Sequence, residues 1–267
     1  NVGKTKITEI SASAKLDEFR AEMGNFIRDS FEPISSFGPH SAVVHYTSSP
    51  EADVEFHPGT LYLSDTGAGF YEGSTDITRT FALGEIPQQM KDDFTLVAIS
   101  NLQLANARFL QGSTGLTLDI LARKPFWDRD MNFNHGTGHG VGYFLNVHEP
   151  PQRISYFAPN TPEYALRQGM LTSNEPALYR PNQWGIRIES LVVAQPVAQP
   201  QETQFGDYLC FETVTLCPID TRLVDAALLR PDERDWLNAY HAQVREQLLP
   251  FVNGAAKDWL IERTAGI

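Results

Sequence analysis

Two aspartates, Asp65 and Asp76, stand inside LSDTGAGFYEGSTDITRTF (residues 63–81), a stretch rich in the β-formers Leu, Phe, Tyr, Ile and Thr. The glycines between them mark a hairpin. A carboxylate at a strand position is costly unless a nearby charge compensates it. This hairpin therefore has to fold against something positive. Closure midway, over Gly69 to Glu72, makes the two aspartates direct cross-strand partners, with Cβ atoms roughly 5 Å apart on one face. Closure at Glu72-Gly73 slides them apart by about four residues, on the order of 13 Å. The first register is the expected one, because two facing anions make sense around a cation. Two solvated turn aspartates are the competing reading.

The chain does not supply that positive charge in bulk. Its 267 residues carry 21 Lys and Arg against 33 Asp and Glu, a formal net charge of −12. That balance argues against a nucleic-acid surface, and no apolar run approaches the length that spans a bilayer. An acidic total also fits a site crowded with carboxylates whose cations are not part of the sequence. Cys210 and Cys217 are too few for a disulfide framework and read as strand thiols of a reducing compartment. The chain starts at Asn1 and its opening reads like the interior of a longer chain.

Along the chain, apolar residues at helical spacing from about Ser13 to Ser30 (Leu16, Phe19, Met23, Phe26, Ile27) predict a helix with one stripe on a core. SAVVHYTSS and TLYLSDTG read as strands, and Pro87 to Leu110 as a long amphipathic helix. A shorter helix over LTLDILARKPFW ends near Pro125, and a Gly/His-rich loop covers His135 to Gly142. Strands return in GMLTSNEPALY, WGIRIESLVVA and YLCFETVTLCPI, before a final helix from Pro231. Helices and antiparallel strands in separate clusters predict an α+β arrangement in a single domain over residues 1–267.

Three further elements carry chemistry. His135, His139 and His148 lie within NHGTGHGVGYFLNVHE, which lacks the glutamate of H-E-x-x-H, the third glycine of G-x-G-x-x-G and the Lys-Ser/Thr of a phosphate loop. What remains is a loop whose glycines let imidazoles approach a buried centre. Glu175 in TSNEPAL is held extended by Pro176. Glu189 in GIRIESLVV shares a strand face with Arg187, opposite Ile186 and Ile188, and a surface salt bridge is the competing reading there. Four carboxylates and one imidazole suit divalent manganese, cobalt, iron or zinc rather than a thiolate zinc site. Four negative charges balance two such ions, the arrangement of binuclear hydrolases.

D-x(10)-D in a hairpin, then HGTGHGVG…NVHE, NEP and GIRIES, closely resembles the catalytic domain of the Xaa-Pro aminopeptidases (aminopeptidase P), nearly end to end. The resemblance implies the pita-bread fold shared with methionine aminopeptidase and prolidase, curved antiparallel sheets with helices outside. It also implies the long, three-domain cytosolic type, of which this chain is the C-terminal part. By resemblance, Asp65 chelates one metal, Asp76 and Glu189 bridge both, and His139 and Glu175 complete the other shell. Manganese is the first expectation, with zinc or cobalt as alternatives. Glu175 also takes the proton of the attacking water, His148 steadies the oxyanion and His45, in VVHY, steadies substrate or relays protons. His135, Tyr179 and Arg187 line the substrate site. The implied partner is a peptide with proline second, and relatives commonly dimerise. Ala177 stands where relatives usually carry glycine, and SDTGAGF departs slightly from D-x-G-A-x-Y without touching the aspartate. Prolidase activity and a non-catalytic pita-bread binding module are the alternatives.

Overall fold

A computed structural model describes residues 2–267. The first helix, α1 (Glu9–Glu22), starts where Thr8 and Ser11 cap it reciprocally: Ser11 N–H donates to Thr8 Oγ1 at 3.2 Å and Thr8 N–H to Ser11 Oγ at 2.7 Å. The helix stops at Met23, before Gly24 at φ +81°, and Phe26 and Ile27 belong to strand β1 (Phe26–Asp29). The expected core-facing stripe is also corrected. Phe19 and Met23 are exposed, and the buried residue of α1 is Glu9.

Strand β2 (Ile34–Phe37) follows, and then a hairpin built in two stages. Strands β3 (Thr60–Thr66) and β4 (Ala68–Phe70) run out, and β5 (Gly73–Ser74) and β6 (Ile77–Leu83) return. Sheet order is β2-β3-β6 at the base and β1-β4-β5 at the tip. The segment SAVVHYTSS is not a strand. Gly38 at φ +54° and the Ser41 hydroxyl donating to Gly38 O at 2.6 Å turn it into a short 3-10 helix, Gly38–Ala42, and a ladder-free strap.

Helix α2 (Gln88–Ala105) ends where Asn106 Nδ2 donates to Leu102 O at 2.9 Å, so Phe109 lies in β7 (Arg108–Leu110) rather than in the helix. Helix α3 (Gly115–Trp127) carries Pro125 in its last turn. Short strands β8 (Gly138–His139) and β9 (Arg153–Ile154) pair with each other. Strands β10 (Leu171–Asn174), β11 (Ala177–Arg180), β12 (Trp184–Arg187), β13 (Ser190–Pro196) and β14 (Tyr208–Thr213) complete the β-structure, with order β10-β13-β14-β7 in one sheet and β11-β12 in another. Helices α4 (Pro231–Leu248) and α5 (Gly254–Arg263) end the chain.

Every pairing is antiparallel and the helices form separate stretches, so the architecture is α+β as expected. The main core sets Phe94 and Val97 of α2 against Ile186 and Ile188 and against Leu237 of α4. Each such side chain stabilises the fold by roughly 1.5–3 kcal/mol through burial alone. A second core joins Leu104, Phe109, Leu118 and Ile154. Both cores lie behind the sheets, which leaves the strands' polar face free to build a site.

A candidate metal centre

The first hairpin adopts neither register considered from sequence. Asp65 pairs with Thr78 and Thr66 with Ile77, and beyond a gap Gly69 pairs with Ser74 and Phe70 with Gly73. The tip is therefore Tyr71-Glu72, and Asp65 and Asp76 are offset by two residues instead of directly opposed. The register is the same on both sides of the gap, so the tip sets the offset by placing Gly67 opposite Asp76. Gly67 O accepts from Ser30 N–H at 3.1 Å, and Thr75 Oγ1 accepts from Ala68 N–H at 2.9 Å. A Cβ on Gly67 would lie 2.1 Å from both Ser30 Oγ and Thr75 O, so only glycine fits. Since Thr78 is opposite Asp65 and two positions from Asp76, both carboxylates still share one face. Both are buried.

The second hairpin breaks in the same manner. Asn174 pairs with Ser190 and Ala177 with Arg187, so the register sets Glu175 opposite Glu189. Pro176 has no N–H to give the ladder there. Glu175 N–H turns outward to Thr137 O at 2.7 Å, and Glu189 N–H to Thr78 O at 3.0 Å. Each glutamate thus ties its hairpin to another element of the site. Ile186 and Ile188 fill the core behind, and Arg187 and Glu189 are buried rather than a surface salt bridge.

Helix α3 and β10 hold the histidine loop from two sides. Asp119 accepts from Thr137 Oγ1 at 2.6 Å and from Arg123 Nε at 2.5 Å, while Arg123 reaches Phe133 O at 2.7 Å and His135 O at 2.6 Å. A Cβ on Gly138 would sit 1.9 Å from Ser173 O, so the loop crosses β10 at backbone contact. His139 N–H donates to Ser173 Oγ at 3.0 Å.

Asp76, His139 and Glu189 offer donor atoms that lie within 4.8 Å of one another. His139 Nδ1–H donates to Gly140 O at 2.9 Å, which leaves the Nε2 lone pair facing Asp76 Oδ2 at 3.5 Å and Glu175 Oε1 at 3.4 Å. Burial lowers the His139 pKa to about 4, so the ring is neutral at pH 7. An acceptor aimed at two carboxylates is stable only with a proton or a metal ion between them. Burial, and after it the Glu189 charge, raises Asp76 and Glu175 well above the usual carboxylate range. Burial and the Asp65 charge push Glu189 up to about 8.

Asp65 is placed differently. Its Oδ2 accepts from Arg187 Nη2 at 2.6 Å, and its buried Oδ1 has no hydrogen-bond partner among the described residues. Burial works against the Arg187 charge, but Tyr179, Asp65, Glu175 and Glu189 outweigh it and raise its pKa further. One buried guanidinium against three buried acids and the half-buried Glu175 leaves the deficit that divalent cations remove. The orphaned Asp65 oxygen, the His139 lone pair and the hard oxygen-rich donor set all fit such ions.

The acids open onto a cavity of about 640 Å³, also lined by His45, His135, His148 and Arg187. His148 packs edge-on against His139, with ring centres 4.1 Å apart. His45 is exposed on the strap. His135 spends both nitrogens inside the protein: Nδ1–H donates to Gly136 O at 2.7 Å, and Nε2 accepts from Tyr179 O–H at 3.0 Å. Tyr179 in turn accepts from Arg187 Nη1 at 2.6 Å, and it sits behind the wall rather than in it. Its hydroxyl is held as a donor, its pKa raised to about 12 by burial.

Thr78, Arg79, Asp119, Arg123 and Glu9 support the site and were missed from sequence. Thr78 Oγ1 donates to Glu189 Oε2 at 2.8 Å. Glu9 accepts from Phe37 N–H at 2.6 Å and Tyr46 O–H at 2.8 Å and faces His40 Nδ1 at 3.0 Å, which pins the His45 strap. The signal was faint: a polar residue at a strand or helix position that faces the core.

Antiparallel sheets converging on a carboxylate-rich cavity, with helices packed behind, define a pita-bread metalloprotein. The chain belongs to metallopeptidase family M24, whose model matches residues 2–196, and the model of that family's C-terminal region matches residues 207–267. It is 42% identical over 262 residues to aminopeptidase P1 of Arabidopsis thaliana, covering 97% of this chain and 40% of that protein. It is 41% identical over 275 residues to a probable Xaa-Pro aminopeptidase P of Coprinopsis cinerea, covering 100% of this chain and 43% of that protein. Among solved structures, X-prolyl aminopeptidase from Caenorhabditis elegans, described as a cytosolic enzyme with a di-nuclear active site, superposes with a TM-score of 0.93 at 33% identity, over 99% of this chain and 43% of that one. Prolidase from Pyrococcus furiosus superposes at 0.64 with 28% identity, over 77% of this chain and 54% of that one. The chain spans about 40% of the length of the curated relatives it matches.

Proposed function

We propose that the chain is the catalytic domain of an Xaa-Pro aminopeptidase, which releases the first residue of peptides with proline second. The observation that carries this reading is the convergence of Asp65, Asp76, Glu175 and Glu189 with one neutral imidazole, His139, on a single cavity. The names of the relatives supply the proline. Asp65 would hold one divalent ion, Asp76 and Glu189 both, and His139 and Glu175 the other. Bound there, the pair would lower the pKa of a shared water and supply hydroxide near neutral pH. Manganese suits the oxygen-rich donors, and zinc or cobalt are the alternatives.

The remaining steps belong to the chain's own groups. Glu175 takes the proton of the attacking water and passes it to the leaving nitrogen. Burial lowers the His148 pKa, so this ring faces the cavity neutral and has one N–H to give the substrate's carbonyl oxygen as charge develops there. Arg187 fixes Asp65 through one oxygen and leaves the other free. His135, with both nitrogens engaged, contributes its ring face to the proline pocket, and Tyr179 acts through His135 and Arg187. His45, on the strap, steadies the bound peptide.

In this reading residues 1–267 form one catalytic domain of a longer, cytosolic chain that pairs as a homodimer. The Caenorhabditis elegans neighbour, described as cytosolic, supports the compartment. No described helix is long and apolar enough to cross a membrane. Prolidase activity is the second reading, favoured by the superposition on the Pyrococcus furiosus enzyme. A binding module without catalysis has no use for the five donors. The test strips the protein with chelator, adds back single metals and compares an Xaa-Pro dipeptide with an Xaa-Pro-Pro tripeptide. Metal-dependent cleavage of the tripeptide supports the aminopeptidase; cleavage of the dipeptide alone identifies a prolidase.

A further inference from the structure

Arg79 is a buried arginine that no described carboxylate serves. Its acceptors are Thr78 O at 2.9 Å, Glu189 O, Ser190 Oγ at 3.1 Å, Cys217 O at 2.9 Å and Tyr240 Oη at 2.9 Å. Such a group is tolerated only where neutral dipoles satisfy all its donors. Those dipoles come from two directions. Glu189 and Ser190 lie where the chain breaks between β12 and β13 and Glu189 turns into the metal centre, and Thr78 on β6 lies beside that break. Cys217 and Tyr240 belong to the C-terminal region, residues 207–267.

Glu189 is thereby fixed at three points. Its N–H donates to Thr78 O at 3.0 Å, its carbonyl accepts from Arg79, and its Oε2 accepts from Thr78 Oγ1 at 2.8 Å. With no ladder partner at this position, the Arg79 guanidinium fixes the Glu189 carbonyl. The guanidinium is oriented in turn by the Tyr240 hydroxyl, which lies 2.9 Å from Thr215 O and 2.8 Å from Cys217 O.

We propose that Arg79 and Tyr240 are positioning residues for Glu189, so that the C-terminal region sets the geometry of the metal centre and does more than cover the core. The inference rests on the metal-binding reading above. A mispositioned Glu189 bridges poorly, so the change should show in metal affinity and not only in stability.

The experiment titrates Mn2+ into the chelator-stripped full chain and its variants, with bound metal counted by elemental analysis and the exchange-coupled pair followed by electron paramagnetic resonance. Tyr240→Phe, which removes one oxygen atom, should weaken at least one Mn2+ about tenfold and reduce the coupled signal. Arg79→Lys should weaken it more. Ser100→Ala removes a buried hydrogen bond to Ala122 O in the α2–α3 contact and should leave both unchanged. Far-UV circular dichroism checks folding, and should Arg79→Lys unfold, Tyr240→Phe decides. Parent-like Mn2+ affinity and coupling in folded Tyr240→Phe overturn the inference alone. Failure of the parent to bind Mn2+, and then Zn2+ or Co2+ titrated in the same way, overturns the metal reading and the inference with it.

Discussion

Replacing the Asp76 carboxylate by an amide keeps its shape and removes its charge. Burial and the Glu189 charge already disfavour that ionised group without metal. Asp76→Asn should therefore be at least as stable as the parent in chelator, yet hold fewer metal ions and release the first residue of an Xaa-Pro peptide at least a hundredfold more slowly. Paired thermal melts and elemental analysis check this; full metal content with near-normal turnover removes Asp76 from the bridging role. Glu9 makes the opposite case. As a first-turn acid of α1 it occupies a position where a carboxylate commonly faces solvent and the helix dipole, yet it is fully buried with three donors converging on it. Glu9→Gln leaves an N–H group among donors and should cost about 2 kcal/mol in urea denaturation. An unchanged midpoint would show that the strap does not depend on it.

Among the elements, the acids and histidines of the site were legible because they are matters of residue type within strand and loop patterns. Their register was not. The offset of Asp65 from Asp76 is set by closure at Tyr71-Glu72, one step beyond the midpoint, while Ser30 and Thr75 hold the backbone around Gly67 through contacts that no local pattern reports. The end of α1 was missed because apolar spacing continued through Gly24, whose left-handed backbone ends the helix. The strap at residues 41–49 carries β-formers, but its hydrogen bonds go to Glu9, Gly38 and Ser35 rather than to a ladder. Glycine carries the information at the loop–strand crossing. Gly138→Ala would push the loop off Ser173 O, 1.9 Å from the new Cβ, and move His139 with it. Metal content should fall in this variant while α3, held by its own core, keeps its helical signal. Parent-like metal binding would mean that the loop relaxes without moving His139.

At the scale of the molecule, acid should loosen the contact between α4 and the rest of the fold. His241 is buried, its Nε2 accepts from Ile219 N–H at 3.1 Å, and burial lowers its pKa from 6.5 to about 4. Above pH 6.5 neither state is charged. Between 6.5 and 4 the unfolded chain takes a proton that the native ring refuses, so stability falls with pH by up to roughly 3 kcal/mol. His241→Gln should flatten that slope in urea titrations at pH 7 and 5 in chelator, and an unchanged slope would assign it to other groups. Metal acts the other way: an ion at a hundred times its Kd should stabilise the native state by about 2.7 kcal/mol per site. The most direct measurement is the metal content of the purified chain at saturation, taken with turnover of an Xaa-Pro-Pro peptide before and after chelation. Two divalent ions per chain, and cleavage lost on stripping and restored by add-back, are expected. Fewer than two ions, or cleavage that survives their removal, would contradict the account of why four acids are gathered on one cavity.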